Sequence, residues 1–529
     1  MASSSAVRTP KWYNYWGWGS GDMLGAGAQA VITGWLVYFF VTFCDLTIMQ
    51  AGFIVGLPRL LEAITCPLIG YVSDNLRHTW IGRKIGRRKI FLLITVPLLP
   101  SFALLFVTGQ SFYYYLFAFI FFELLYTMFL IPWETLAAEM TKDYKEKAKF
   151  AGARMIIAQA SAILASSLPA MLIPILGGED SPNTFLIMAT IFGVLFSLVV
   201  ILVLIFSWER PYTQEELDYK GETLSLKTAA MIPVNMFRDL FSTLKLKAFR
   251  QHLSIYLGGY LSQDIFNTAF PIFVATVLFG ATAVISQLMT VMYFAQLLSV
   301  MIAIQVVIKT GPTVAYRIAI GFVIASLLLY LGFYLSQPEG FTSGLSALDG
   351  NLFAAFTQSN FGLVFWLFVP IILAGLGRGT LNFVPWSVYN YLPDVDEAVT
   401  AQRREGIFAG VMTFTRKAAQ FGAIFLATGL MELGGYVAPS KAAAGTTVVQ
   451  TPEAINSIVL VMIGGPILMM VLGAWMSWSF RLNAKTHAVL VHEVERLREG
   501  ATQPETPESG KIVEDLTGWK YENLWGRGK

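Results

Sequence analysis

Arg59 and Glu62 stand three residues apart inside an otherwise apolar stretch, LPRLLEAITCPLIGYVSD, residues 57–74. On an α-helix that spacing puts a guanidinium and a carboxylate on one face, with Thr65 and Cys66 one turn further along it. An ionised side chain at the centre of a bilayer costs at least ~2.5–3.5 kcal/mol on insertion scales, so it has to face a partner or an aqueous cavity. A single desolvated carboxylate suits the carriage of a proton, because burial favours its neutral form. The residue types therefore suit proton exchange at Glu62, modulated by Arg59.

More chemistry lies downstream. Glu123, Thr127, Leu130 and Glu134 fall on one helical stripe. Tyr126 and Trp133 lie in the same segment, Arg154 follows, and Asp264 stands beside Gln263 and Asn267. Arg378, Trp386 and Tyr389 come next, then Arg416 and Lys417. A sugar ring offers an apolar C–H face to an aromatic plane and its hydroxyls to convergent polar groups. Tyr126, Trp133, Trp386 and Tyr389, with Glu134, Arg154, Asp264 and Lys417, match that chemistry. The four cations Arg154, Arg378, Arg416 and Lys417 also suit a carboxylate, as in an organic anion or a uronide. Trp16 and Trp18 read as residues of an interfacial belt. The small residues of GDMLGAGAQAVITG read as close helix packing. His78, His252, His487 and His492 have no metal-ligand spacing, and neither a nucleophile motif nor a phosphate-binding loop accompanies them. The expectation is a protein that is not an enzyme, has no cofactor and is not driven by ATP.

These groups need elements to hold them. The chain has 529 residues, of which 55% are hydrophobic and 13% charged, with a mean hydropathy of +0.59. Soluble domains carry roughly 25% charged residues. Apolar runs long enough to cross a ~30 Å hydrocarbon layer recur along nearly the whole length. The reading is an all-α integral membrane protein of twelve helices, at 22–44, 48–72, 89–108, 111–139, 149–175, 183–207, 251–279, 283–308, 312–335, 361–388, 405–432 and 454–482. They form two six-helix bundles, 22–207 and 251–482, joined by a hydrophilic middle loop, 208–250. An N-terminal segment, 1–21, precedes them and a polar tail, 483–529, follows. Residues 1–20 lack an apolar core and a small-residue cleavage site and are not read as a signal peptide. Within the tail, HAVLVHEVERLREG reads as an amphipathic helix and TQPETPESGK as disordered. The two cysteines, Cys44 and Cys66, imply no structural disulfide.

Lys and Arg concentrate in alternate loops. RHTWIGRKIGRRK, TKDYKEKAK and the middle loop (Lys220, Lys227, Arg238, Lys245, Lys247) carry them, whereas the opposite loops hold almost none apart from Lys441. The positive-inside rule then puts both termini in the cytoplasm, in what reads as a bacterial inner membrane. The net charge of +3 is a topological signal, and nucleic acid is not an expected partner. Gly70, Asp74 and Gly86-Arg87-Arg88-Lys89 add a pattern in which an acid can pair with an Arg cluster across neighbouring helices. This resembles the signature between helices 2 and 3 of the major facilitator superfamily, with an insertion. It implies a gating latch made by Asp74, Arg87 and Arg88. Pro132-Trp133 recurs as Pro385-Trp386, and Phe-Ala-Gly recurs at 150–152 and 408–410. Such an internal repeat is the usual build of secondary carriers that bind substrate near the midplane.

RLLEAITCPLIGYVSD, IPWETLAAEMT, PDVD…RREGIFAG and RKAAQFG together resemble the glycoside–pentoside–hexuronide:cation symporter family, of which melibiose permease is the best-known member. The resemblance implies a twelve-helix carrier that imports a sugar, glycoside or uronide with H⁺, Na⁺ or Li⁺; the expected partners are that small-molecule substrate and the lipid bilayer, and a monomer is expected. By that resemblance Glu62 takes the place of the first cation-site aspartate and Arg59 that of the arginine before it. Thr65 and Thr127 match polar neighbours of that site, and Cys66 stands where Na⁺-coupled members have a second aspartate; a thiol is a poor substitute for the hard oxygen ligands of Na⁺, so this departure favours H⁺. Arg154 matches a sugar-binding arginine and Lys417 a lysine of helix 11, while Leu130 replaces a sugar-site aspartate. On helix 1 both Asp22 and Gln29 fit the remaining site position. The expected function is a secondary transporter working by alternating access, H⁺ favoured over Na⁺. The alternatives are an uncoupled or H⁺-coupled carrier of an organic anion or lipid-like substrate and, more remotely, a non-transporting membrane sensor.

Overall fold

The computed structural model describes residues 9–527, apart from 77–78, 142, 177–180, 211–230, 232–233, 235–237, 239–240, 349–350, 359, 390, 403 and 442–447. Arg77, His78, Lys220, Lys227 and Arg403 thus lie outside the described residues, as does the side chain of Asp74. No strand occurs among the described residues.

Among the described residues, twelve long helical segments carry the fold. They are α1 (Trp12–Phe43), α2 (Ile48–Asn75), α3 (Lys89–Thr95, bent into Leu99–Phe106), α4 (Phe112–Met140), α5 (Tyr144–Leu176), α6 (Pro182–Phe206), α7 (Lys247–Thr276), α8 (Thr282–Thr310), α9 (Pro312–Ser336), α10 (Phe361–Tyr389), α11 (Glu405–Leu433) and α12 (Pro452–Ser479). Among the described residues, nine helices are long and apolar enough to span a membrane, and the two arms of α3 make a tenth. The remaining two, α7 and α11, have the length, at 30 and 29 residues, but carry Asp264, Arg416 and Lys417. Those charged residues lower their hydropathy.

Local sequence sets the boundaries. Thr47 caps α2 in a capping box with Gln50, Ser111 accepts from Tyr114 N–H at the start of α4, and Pro182 and Pro312 open α6 and α9. Pro97 and Pro100 remove donors from α3 and bend it by 41°. The expected single run 89–108 is therefore two arms. Helix α1 begins ten residues earlier than its predicted start at 22, at Trp12, and contains two π-turns, Met23–Gly27 and Ile32–Leu36. Such turns shift the side-chain register and recur at functional sites.

The tail departs most from expectation. After α13 (Ala484–Arg498), the stretch read as disordered enters α14 (Pro507–Thr517), with Thr506 and Ser509 forming a capping box. Composition near Pro504 and Pro507 suggested disorder, but Val513, Leu516, Tyr521 and Leu524 are buried and supply the apolar contacts that order it.

The chain divides into two compact units. The first comprises Met1–Ile232, Val274–Thr290 and Ile424–Ile455. Phe39, Phe40, Phe102, Phe106, Phe119 and Phe122 lie fully buried in its core. At the end of this unit away from the basic loops, Tyr38 and Thr282 hydroxyls meet at 3.2 Å, and Glu432 accepts from Met49 N–H at 2.7 Å. There α11 passes so close to α2 that a Cβ on Gly52 would collide with Thr428. The second unit comprises Pro233–Phe273, Val291–Ala423 and Asn456–Lys529. Within it α9 packs along α10, and the tail folds over the short connector helix Leu392–Thr400 that follows α10. Arg498 pairs with Glu397, His487 Nε2 lies 2.8 Å from Asp394, and Lys247 pairs with Asp515. Trp525 and Gly526 donate their N–H groups to the carbonyls of Ala398 and Val399, at 2.8 and 2.7 Å.

Candidate functional site

In the first unit, α2 and α4 hold one buried charge group. Arg59 Nη1 lies 2.6 Å from Glu123 Oε1 and 3.6 Å from Glu62 Oε2. Arg59 is 0%, Glu62 2% and Glu123 3% exposed, and the guanidinium also sits over the Phe119 ring, 5.6 Å from its centroid. Buried charges of this kind are tolerated when they are paired. The hydroxyls of Thr65 and Thr127 are turned onto their own helices, donating to the carbonyls of Glu62 and Glu123. Cys66 is buried, outside any disulfide and one turn from Glu62.

A second group joins α1, α4 and α5. Arg154 reaches Asp22 Oδ2 at 3.3 Å and Glu134 Oε1 at 2.8 Å, and stacks over Trp133, 4.7 Å from the ring centroid. Trp133 and Trp18 stack at 5.1 Å and exchange hydrogen bonds, each indole N–H donating to the other's carbonyl at 2.8–2.9 Å. Helix α1 comes this close because Gly21 has no side chain; a Cβ there would meet the Trp133 indole. Tyr126 donates to the Gly25 carbonyl at 3.1 Å. Asp22 is thus the α1 residue in the ion-pair group, and Gln29 lies two turns further along the helix. Trp18 is buried at 3% exposure, so it is a packing partner and not a belt residue; Trp16 is exposed. Arg154 and Glu134 remain about one-third open, at 32% and 39%.

The second unit holds a third group. Arg416 clasps Asp264 with two contacts of 2.7 and 2.9 Å, and Gln420 donates to the same carboxylate at 3.0 Å. Arg416 lies over Tyr260, 5.0 Å from its centroid, and Trp386 Nε1 donates to the Tyr260 hydroxyl at 3.0 Å. Tyr389 packs on Trp386 at 5.8 Å, and Lys417 is half-buried beside Arg416. Arg378 is 4% exposed over the Phe266 ring, and its Nε and Nη1 have no hydrogen-bond partner among the described residues.

At the basic loop, Arg87 and Arg88 converge on Glu139 at the end of α4, at 2.5 and 2.6 Å. Glu209, just past α6, accepts the N–H groups of Arg87, Arg88 and Lys89 at 2.8–3.0 Å and so caps α3. Glu139 is thus a described acid at this Arg pair; Asp74, the acid of the expected latch, has its side chain outside the described residues. The sequence reading of the site left out Glu123, Glu139, Tyr256 and Tyr260. Glu123 carried a signal in its stripe with Thr127 and Glu134, and Tyr256 and Tyr260 one in their spacing of one turn on α7; Glu139 carried none.

Among known proteins, residues 17–484 match the family model described as MFS/sugar transport protein. An "uncharacterized symporter sll1374" of Synechocystis is 23% identical over 477 residues, covering 80% of this chain and 85% of that protein. The "glucuronide carrier protein homolog" of Escherichia coli K12 is 23% identical over 517 residues, 96% and 98% of the two chains. In fold, the chain is similar to the crystal structure of the nucleoside transporter NupG, with a TM-score of 0.55, 15% identity, and 88% and 98% coverage.

Proposed function

The chain belongs to the MFS/sugar transport protein family, as a multi-pass membrane transporter, and we propose that it imports a sugar, glycoside or uronide by symport with H⁺. The observation that carries the coupling ion is the buried carboxylate of Glu62 beside Arg59, with a thiol and not a second carboxylate at Cys66. Protonation removes a charge from that group without needing the oxygen cage that Na⁺ requires. The open part of the Arg154–Glu134 pair supplies a donor and an acceptor for sugar hydroxyls. The Lys and Arg bias of the loops supports cytoplasmic termini in a bacterial inner membrane.

A uronide is favoured over a neutral glycoside by Arg378. A buried guanidinium lacking partners on Nε and Nη1 is relieved by a carboxylate. The name of the glucuronide carrier homolog points the same way.

The test uses the purified protein in proteoliposomes with an external pH indicator, screened against neutral sugars, glycosides and uronides. An added substrate should alkalinise the medium as it enters with protons. Glu62→Gln should abolish that signal and keep part of substrate exchange. Full proton-coupled accumulation by Glu62→Gln would remove Glu62 from the mechanism. No pH signal from the wild type with any transported compound would make the carrier uncoupled.

A further inference from the structure

Resting on the uronide reading of Arg378, we infer that Gln296 and Asn267 accept hydrogen bonds from hydroxyls of the substrate whose carboxylate Arg378 holds, so that the site selects a hydroxylated acid over a bare one. Arg378 is 4%, Gln296 5% and Asn267 8% exposed. Among the described residues, Arg378 Nε and Nη1, Gln296 Oε1 and Asn267 Oδ1 have no hydrogen-bond partner. Three helices bring them to one place. Arg378 on α10 interacts electrostatically with Tyr293 on α8 and with Asp264 on α7. Gln296 lies three residues beyond Tyr293, and Asn267 three beyond Asp264, so each shares a helix face with a residue that Arg378 senses. Gly375 and Gly379, on either side of Arg378, let α10 approach α8 there. A Cβ on Gly375 would collide with the Met292 carbonyl, and one on Gly379 with that of Gln296. The guanidinium lies over the ring of Phe266, the residue next to Asn267.

Neighbouring polar groups are committed elsewhere. Arg416 and Gln420 take the Asp264 carboxylate, the Gln263 amide donates to Asn382 Oδ1 and the Gly259 carbonyl, and the Ser299 hydroxyl donates to the Leu376 carbonyl. The atoms without partners are two N–H donors on a cation and two carbonyl acceptors on neutral amides. They meet in one cluster and yet do not pair with one another. Buried polar atoms are costly to leave unmet, and a ligand that satisfies all four carries a carboxylate beside hydroxyls. A bare carboxylate leaves the two amide oxygens unmet, and a neutral sugar brings no charge to the guanidinium. A site built to hydrogen-bond a hydroxyl rejects an analogue without it far more strongly than an apolar pocket can.

Dissociation constants are measured by calorimetry on the purified full-length protein in lipid nanodiscs. The probes are methyl β-D-glucuronide, methyl β-D-glucoside, which lacks the carboxylate, and cyclohexanecarboxylate, which keeps a six-membered ring and the carboxylate without hydroxyls. The wild type should bind the glucuronide at least ~100-fold tighter than cyclohexanecarboxylate. Gln296→Met and Asn267→Leu remove one acceptor each at similar volume. Each should weaken the glucuronide roughly ten-fold and leave cyclohexanecarboxylate unchanged. Equal binding of the two acids by the wild type overturns the inference and needs no variant, which covers the case in which a variant does not fold. A folded variant that weakens both acids alike, or neither, makes the amide a packing residue and overturns it as well. No binding of the glucuronide, or none tighter than that of the glucoside, overturns instead the uronide reading of Arg378, and the inference with it.

Discussion

Arg154 has two carboxylate partners of different standing: Asp22 is 6% exposed, while the Glu134 side chain is 39% exposed. Hydrogen bonds to charged groups contribute about 1.5–3 kcal/mol when shielded, and exposed ion pairs about 0–1 kcal/mol. Asp22→Asn should therefore weaken transport by roughly ten-fold or more, and Glu134→Gln by no more than a few-fold, read as Km and maximal rate in proteoliposomes. Equal losses would show that the two carboxylates act alike. Arg378→Gln should weaken uronide uptake by about ten-fold or more while changing neutral glycosides little; a uniform loss would make Arg378 structural. Helical spacing alone made the Arg59–Glu62 pair legible in the sequence and placed Glu123 on the right stripe. The pairs of Arg154 with Asp22 and of Arg416 with Asp264 span 132 and 152 residues, and no periodicity reports a distance between separate helices. For the same reason the pairing of Arg87 and Arg88 with Glu139 was not legible in the sequence.

At the scale of elements, apolar run length located the twelve helices, and proline placement accounts for the bend in α3 that run length hid. The tail was illegible because its order is tertiary. Its centre is Glu493, buried on α13, which accepts from the hydroxyls of Ser509 and Tyr521 and from Glu505 N–H, the last two at 2.7 and 3.0 Å, and pairs with Arg496 at 2.9 Å. Burial pushes this carboxyl up, but those donors and Arg496 together hold it below the usual carboxylate range. A carboxyl lowered on folding contributes stability above its unfolded value, and that stability is lost as pH falls through the lowered one. Residues 507–527 should therefore stay protected from hydrogen exchange at mildly acidic pH and lose protection only below the ordinary carboxylate range. Glu493→Gln should remove that acid step and lower protection at neutral pH. A tail whose exchange shows no acid step in the wild type would exclude Glu493 as its anchor.

For the whole molecule, the repeat of Pro-Trp and Phe-Ala-Gly pointed to a duplicated carrier, and the family match bears out the major facilitator fold. Coupling belongs to this scale because it is read across the membrane. Replacing Na⁺ by choline should leave uptake nearly unchanged, and a steep Na⁺ dependence would reveal a ligand that compensates for Cys66. Gly52→Val should force α2 and α11 apart at the Thr428 contact. Overpacking of this kind costs about 1–3 kcal/mol, enough to shift a two-state population roughly 5- to 150-fold. A cysteine introduced at Ser440, which bonds the Val41 carbonyl, in a background without Cys44 and Cys66 should then react faster with an impermeant maleimide added on the side opposite the basic loops. Unchanged labelling would mean that this contact is not a gate. The docking of Trp525 and Gly526 on Ala398 and Val399 also bears on biosynthesis. The connector after α10 is translated more than a hundred residues before the segment that caps it. A nascent chain can therefore insert every spanning helix and still lack these backbone bonds, so a stop codon placed before Trp525 should yield a membrane-inserted but protease-sensitive product.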